Sequence, residues 1–115
     1  MLKKFWIFDG WHADKKLGIL TYDMDADTFS IELDDDIVPN EVPYILRHFA
    51  LKGYKVVPND WSLAWVQDRL IPPNRQLIDV ILKDLGLSEY SEYGLLCAMH
   101  GKCTDDGCYV VPFEE

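Results

Sequence analysis

Three thiols and an imidazole fall within twelve residues of one another in Cys97-x2-His100-x2-Cys103-x4-Cys108. Thiolates and imidazole nitrogens are the donors of tetrahedral zinc sites, so this is the fullest set of metal ligands in the chain. The spacing argues against zinc, because no two cysteines are separated by the two residues of a zinc knuckle. Cys97 also sits among Leu95, Leu96 and Ala98, where a free cysteine packs as a small hydrophobe. Ordinary packing without a metal is the expectation, and a zinc-binding protein is the alternative. A Cys103–Cys108 disulfide would span a turn, but an odd count of three cysteines fits a reducing compartment.

Carboxylates are the next most abundant reactive groups. Asp23-x-Asp25-x-Asp27, with Asp34 at the twelfth place, imitates the start of a calcium loop. Thr28 stands where that loop needs glycine and the last ligand is Asp rather than Glu, so a hairpin turn is expected. Asp105-Asp106 and Asp34-Asp35-Asp36 lie in polar, turn-like sequence, whereas acid–base catalysis needs one carboxyl of a pair shifted by burial. His12, His48 and His100 belong to no Cys–His or Ser–His signature, and a triad assembled only in space escapes this test. There is no P-loop and no GxGxxG. No catalytic residue and no cofactor is expected.

The chain has 115 residues, 49% of them hydrophobic and 13% aromatic, which suits one domain with its own core. Eleven basic residues stand against 20 acidic ones, a formal net charge of −9. That balance disfavours direct contact with phosphate backbones, and hence nucleic acid. No apolar run approaches the roughly 20 residues of a membrane span. The apolar stretch at Phe5–Phe8 is too short for a signal peptide and breaks at Asp9-Gly10, so a cytoplasmic protein is expected.

The elements that must position these groups follow from periodicity. Lys3 to Asp9, Leu17 to Tyr22 and Thr28 to Leu33 read as strands of an antiparallel meander, with turns near 10–16 and 23–27. Phe29, Ile31 and Leu33 alternate with Thr28, Ser30 and Glu32. Asn40 reads as an N-cap, Tyr44 to Leu51 as a helix with Ile45 and Phe49 inward, and Gly53 as its stop. Tyr54 to Val57 is a short extended link. Asp60 caps a second helix that ends at Pro72-Pro73. Pro73 opens a third, whose stripe is Leu77, Val80, Ile81 and Leu85 and whose stop is Gly86-Leu87. Ser91 caps a fourth around Leu95, Leu96 and Met99. Thr104 to Gly107 is a turn, and Cys108 to Pro112 a closing strand beside the N-terminal sheet. The fold class is α+β: a meander over 1–36, a helical part over 40–101, and a strand over 108–112.

Trp61 and Trp65 share one helical face, ordinarily a core arrangement. The alternative is an aromatic anchor for a partner, since Trp and Arg dominate interface energetics, and Arg69 and Arg75 follow closely.

Trp65-Val-Gln-Asp-Arg69-Leu-Ile71-Pro72-Pro73-Asn-Arg75-Gln, Leu85-Gly86-Leu87, Leu95-Leu96, Gly101, Asp105-Asp106 and Tyr109 together form a pattern. It resembles the small N-terminal region of some HipA-like kinases of Gram-positive bacteria, and their short stand-alone relatives. In that family a Trp-containing segment leads to an Arg, an Ile-Pro element, a second Arg and a helix ending in LGL. A Gly and an acidic pair then precede an aromatic. The likeness covers about residues 57–112. The body such a kinase needs, with its phosphate-binding loop, catalytic Asp and metal-binding Asp, has no counterpart in these 115 residues. The resemblance therefore implies a non-catalytic accessory or antitoxin subunit that packs on a HipA-like kinase. Trp61, Trp65, Arg69 and Arg75 are the expected contact residues. A different class of function follows from Asp23, Asp25, Asp27, Asp34, Asp35 and Asp36. As one acidic face, they would mimic nucleic acid and block a protein that binds it, with affinity falling steeply in salt.

Overall fold

Strict alternation of apolar residues turns the first third of the chain into sheet. In the computed structural model, which describes residues 1–103 and 106–113, the strands β1 (Leu2–Asp9), β2 (Lys15–Asp23) and β3 (Thr28–Leu33) form the expected meander. Phe5 and Ile7 of β1, Leu20 of β2 and Phe29, Ile31 and Leu33 of β3 are buried on one face. A bulge between Ile7 and Phe8 skips Leu17 in the pairing. An extra residue unpaired in the ladder bends its strand, and Leu17 is buried here as well. Its neighbour Gly18 meets the Glu32 carbonyl so closely that no Cβ fits there.

Two further strands flank the meander. Cys108–Pro112 pairs antiparallel with β1, as the sequence suggests, and is β5. The link at 54–57 contributes an edge strand instead of a plain connection: β4 (Val56–Val57) pairs with Ile31 and Glu32. The order is β4-β3-β2-β1-β5. The free edge of β5 is blunted. Cys108 N–H donates to Asp106 at 2.9 Å, Val110 N–H to the His100 carbonyl at 2.8 Å, and Pro112 has no N–H. An edge whose outward donors are already occupied is a poorer template for another strand.

Four helices cover the inner face: α1 (Tyr44–Leu51), α2 (Asn59–Gln67), α3 (Ile78–Asp84) and α4 (Glu92–Met99). Leu46, Phe49, Trp65, Val66, Leu82, Leu95 and Leu96 join the sheet residues in one core. α2 is keyed to the sheet by a buried serine. Ser62 Oγ donates to the Val57 carbonyl and accepts from Ile31 N–H, both at 3.1 Å, standing between two residues that are partners in the ladder. The outer face keeps a half-buried aromatic band, with Trp6 stacked on Phe113 at 4.2 Å and Phe8 on Tyr109 at 5.6 Å.

Helix starts depart from the sequence reading where proline geometry decides them. Asn40 lies in a 3-10 turn (Pro39–Glu41) and caps nothing; Pro43, at ψ 159°, holds the residue before α1 extended. Pro58 does the same for α2, leaving Asp60 in its first turn. α3 opens at Ile78 rather than Pro73, because Leu77 adopts φ +60° and interrupts the right-handed path. That resets the helix phase. Leu77 and Val80, expected inside, are exposed, while Leu82 is buried and Ile78 and Leu85 pack against the core. Ser91 caps α4 as expected, accepting from Gly94 N–H at 3.0 Å. Gly86, at φ +78°, lets Leu87 N–H reach the Leu82 carbonyl at 2.8 Å, the hydrogen-bonded stop read from the sequence. Thr104 and Asp105, part of the expected last turn, lie outside the described residues.

Candidate functional site

Arg69 is the most heavily bonded side chain among the described residues, and it is buried. It follows the end of α2, and its guanidinium lies 3.6 Å over the Trp65 ring. Nε donates to the Trp65 carbonyl at 3.1 Å and Nη1 to the Gly101 carbonyl at 2.9 Å. Nη1 and Nη2 grip Asp106 at 3.2 and 3.0 Å, a two-pronged charge-assisted pair. Burial pushes the Asp106 carboxyl up, but Arg69 and the Cys108 N–H outweigh it and hold the group below the usual carboxylate range. Cys103 completes the cluster, its Sγ 3.6 Å from Asp106 Oδ1. The residues behind the resemblance (Trp65, Arg69, Gly101 and Asp106) are thus gathered into one latch that ties α2 to the start of β5.

This corrects the expectation that Trp65 and Arg69 form a partner surface. They are 2% and 4% exposed, because Arg69 finds its carboxylate, two carbonyls and an aromatic face inside the fold. The other two expected contact residues are on the surface. Trp61 is 49% exposed and meets Phe49 edge-on at 6.1 Å. Arg75 is exposed in the turn before α3, and its side chain bonds no elbow carbonyl among the described residues. The elbow is pinned by Tyr90, whose hydroxyl donates to the Ile71 carbonyl at 2.7 Å.

Beside the latch opens a cleft of about 400 Å³, walled by the β1–β2 turn, the start of α1 and the end of α2. Asp9, buried at the end of β1, accepts from Trp11 N–H at 3.0 Å and holds His12 Nδ1 at 2.8 Å. His12 and Cys103 both line this cleft, so a carboxylate, an imidazole and a thiol share one space. Sequence spacing gave no hint of that juxtaposition. The thiol contacts Asp106 and Arg69, and among the described residues no hydrogen bond joins it to His12. A general base uncoupled from its nucleophile does not activate it. Trp65, in the same wall, has a buried indole N–H with no acceptor among the described residues.

The remaining sequence candidates are dispersed. Cys97 is exposed, Cys103 half-buried and Cys108 buried, with burial pushing the Cys108 thiol well up. Among the described residues no three His, Cys, Asp or Glu side chains gather closely enough to hold a metal ion. The acidic residues form two groups at opposite ends of β3, a six-residue strand spanning roughly 20 Å. Asp23 closes its own turn on Asp25 N–H, Asp25 pairs with the N-terminal ammonium, and Asp27 accepts from the Tyr22 hydroxyl. Asp34 and Asp35 pair with Lys16 and Lys55. Asp36 offers its carbonyl to Lys15. Among these six residues, the two groups are separated by the length of β3.

Comparison of the chain with protein-family models, curated proteins and solved structures returns no match. Among the described residues no helix is long and apolar enough to cross a membrane.

Proposed function

We propose that the protein is a non-enzymatic protein-binding module, the accessory or antitoxin subunit of a HipA-like kinase system. The observation that carries this reading is a patch of exposed rings at one end of the α1–α2 pair. His48, Tyr54 and Trp61 surround Phe49 at centroid distances of 5.1, 6.3 and 6.1 Å. All three are exposed, Tyr54 at 58% and Trp61 at 49%. Large rings held rigidly at the surface are what interface hot spots are made of, because they bury area at little entropic loss. The residues that carry the resemblance to the kinase family hold the far end of α2, the helix that bears Trp61, through the Trp65–Arg69–Asp106 latch. Contact with the partner falls to Trp61, with Arg75 at a separate point on the surface.

Tagged protein expressed in cells of its own species tests this by what co-purifies. A HipA-like kinase recovered at both low and moderate salt agrees with an aromatic interface. Recovery only at low salt, and of a nucleic-acid-binding protein instead, sinks the reading in favour of acidic mimicry.

A further inference from the structure

We propose that the cleft beside the latch receives a basic side chain of the partner polypeptide, an arginine by preference. The inference rests on the protein being a partner-binding module, and it adds a second contact of defined chemistry.

The wall offers flat aromatic faces and unpaired negative charge. Trp11, in the β1–β2 turn, is 66% exposed, and Tyr44, the first residue of α1, is 87% exposed; both line the cleft. Trp11 lies directly against Gly107, where an added Cβ would collide with its ring, and its N–H donates to Asp9 at 3.0 Å. Glu41 and Asp68 line the same space and belong to no ion pair among the described residues. Among the described residues, four carboxylates in the wall face two guanidiniums. Arg69 is spent on Asp106, while Arg47 donates Nε to the neutral Val42 carbonyl at 2.8 Å and keeps its charge, so the wall among the described residues carries two carboxylates more than guanidiniums. That surplus repels a phosphate or carboxylate and attracts a cation.

Arginine fits better than lysine. Its planar guanidinium stacks on aromatic rings and bonds a carboxylate with two parallel N–H groups. The chain builds this combination once already, where Arg69 lies on Trp65 and grips Asp106. The net charge of −9 draws a basic segment toward the protein as a whole.

The test is a titration of ¹⁵N-labelled full-length protein, read at the indole N–H signals of its four tryptophans. The probes are a blocked pentapeptide with a central arginine between glycines, its citrulline isostere, and free arginine. Saturable shifts of the Trp11 and Trp65 signals with the arginine peptide are expected, with citrulline bound at least about fivefold more weakly. Combining Glu41→Gln with Asp68→Asn weakens the arginine peptide about tenfold, the loss anticipated for two partly exposed charge contacts. Equal response to citrulline, or shifts confined to Trp6 or Trp61, overturns the proposal. Free arginine binding as tightly as the peptide overturns the polypeptide occupant. The titration needs no kinase, so its failure leaves the accessory-subunit reading standing on Trp61. Failed kinase capture likewise leaves a positive titration intact.

Discussion

Replacing Arg69 by Met removes the charge of the latch while keeping a long apolar stem over Trp65. The Trp65 and Gly101 carbonyls then lose this donor, and the Asp106 carboxylate, whose side chain is only 16% exposed, loses its cation and keeps only the Cys108 N–H and the Cys103 thiol. Breaking a buried pair from one side costs about 3–5 kcal/mol, because the remaining charge stays desolvated. For 115 residues, an unfolding entropy of about 2.1 cal/mol/K per residue converts that into a fall in Tm of about 12–20 °C. Circular dichroism against temperature and urea reads it directly. The deficit depends on pH with a fixed sign. Asp106 is held below its ordinary range, so its stabilising ion pair is fully present above the unfolded value near about 4 and is lost as pH falls through the lowered folded value. Wild type and Arg69→Met should therefore differ most near neutral pH and converge as pH falls, first as the desolvated Asp106 of the variant takes up its proton and then as the lowered wild-type carboxyl does. Asp106→Leu added to Arg69→Met should recover more than half of the loss, since an apolar replacement of both partners leaves no orphaned charge. A loss under about 1 kcal/mol, typical of surface sites, or one unchanged down to pH 3, refutes the latch.

Ser62→Ala strands Ile31 N–H and the Val57 carbonyl in the core and should lower stability by about 1–3 kcal/mol in urea unfolding. Trp61→Ala, at a half-exposed site, should stay within about 1 kcal/mol of wild type yet abolish capture of the kinase; retained capture counts against the aromatic patch. In thiol titration with an aromatic disulfide at pH 8, exposed Cys97 should react first. Cys108, buried and with its thiol pushed up, should react only on unfolding. Gly107→Ala drives a methyl into Trp11 and should quench or shift its fluorescence without unfolding the sheet.

The strands and most helix stops were legible because they depend on local rules. The alternation of Phe29, Ile31 and Leu33 and the left-handed Gly86 each act within a few residues. The start of α3 was not, because the φ +60° of Leu77 is a property of the folded turn and invisible in an apolar stripe. Trp65 and Arg69 show the same limit from the side of function. Their types suit an interface as well as a core, and only the arrival of Asp106 and Gly101, more than thirty residues on, decides for the core. The cleft was illegible for the same reason. Trp11, Glu41, Tyr44 and Asp68 come from three separate segments, and no spacing relates them.

The most direct measurement is affinity capture with wild type and Trp61→Ala side by side, at low and moderate salt, with the recovered proteins identified by mass. Recovery of a HipA-like kinase by the wild type at both salts, and by Trp61→Ala at neither, is the predicted result. A kinase captured equally by both proteins, or no kinase captured by either, contradicts it.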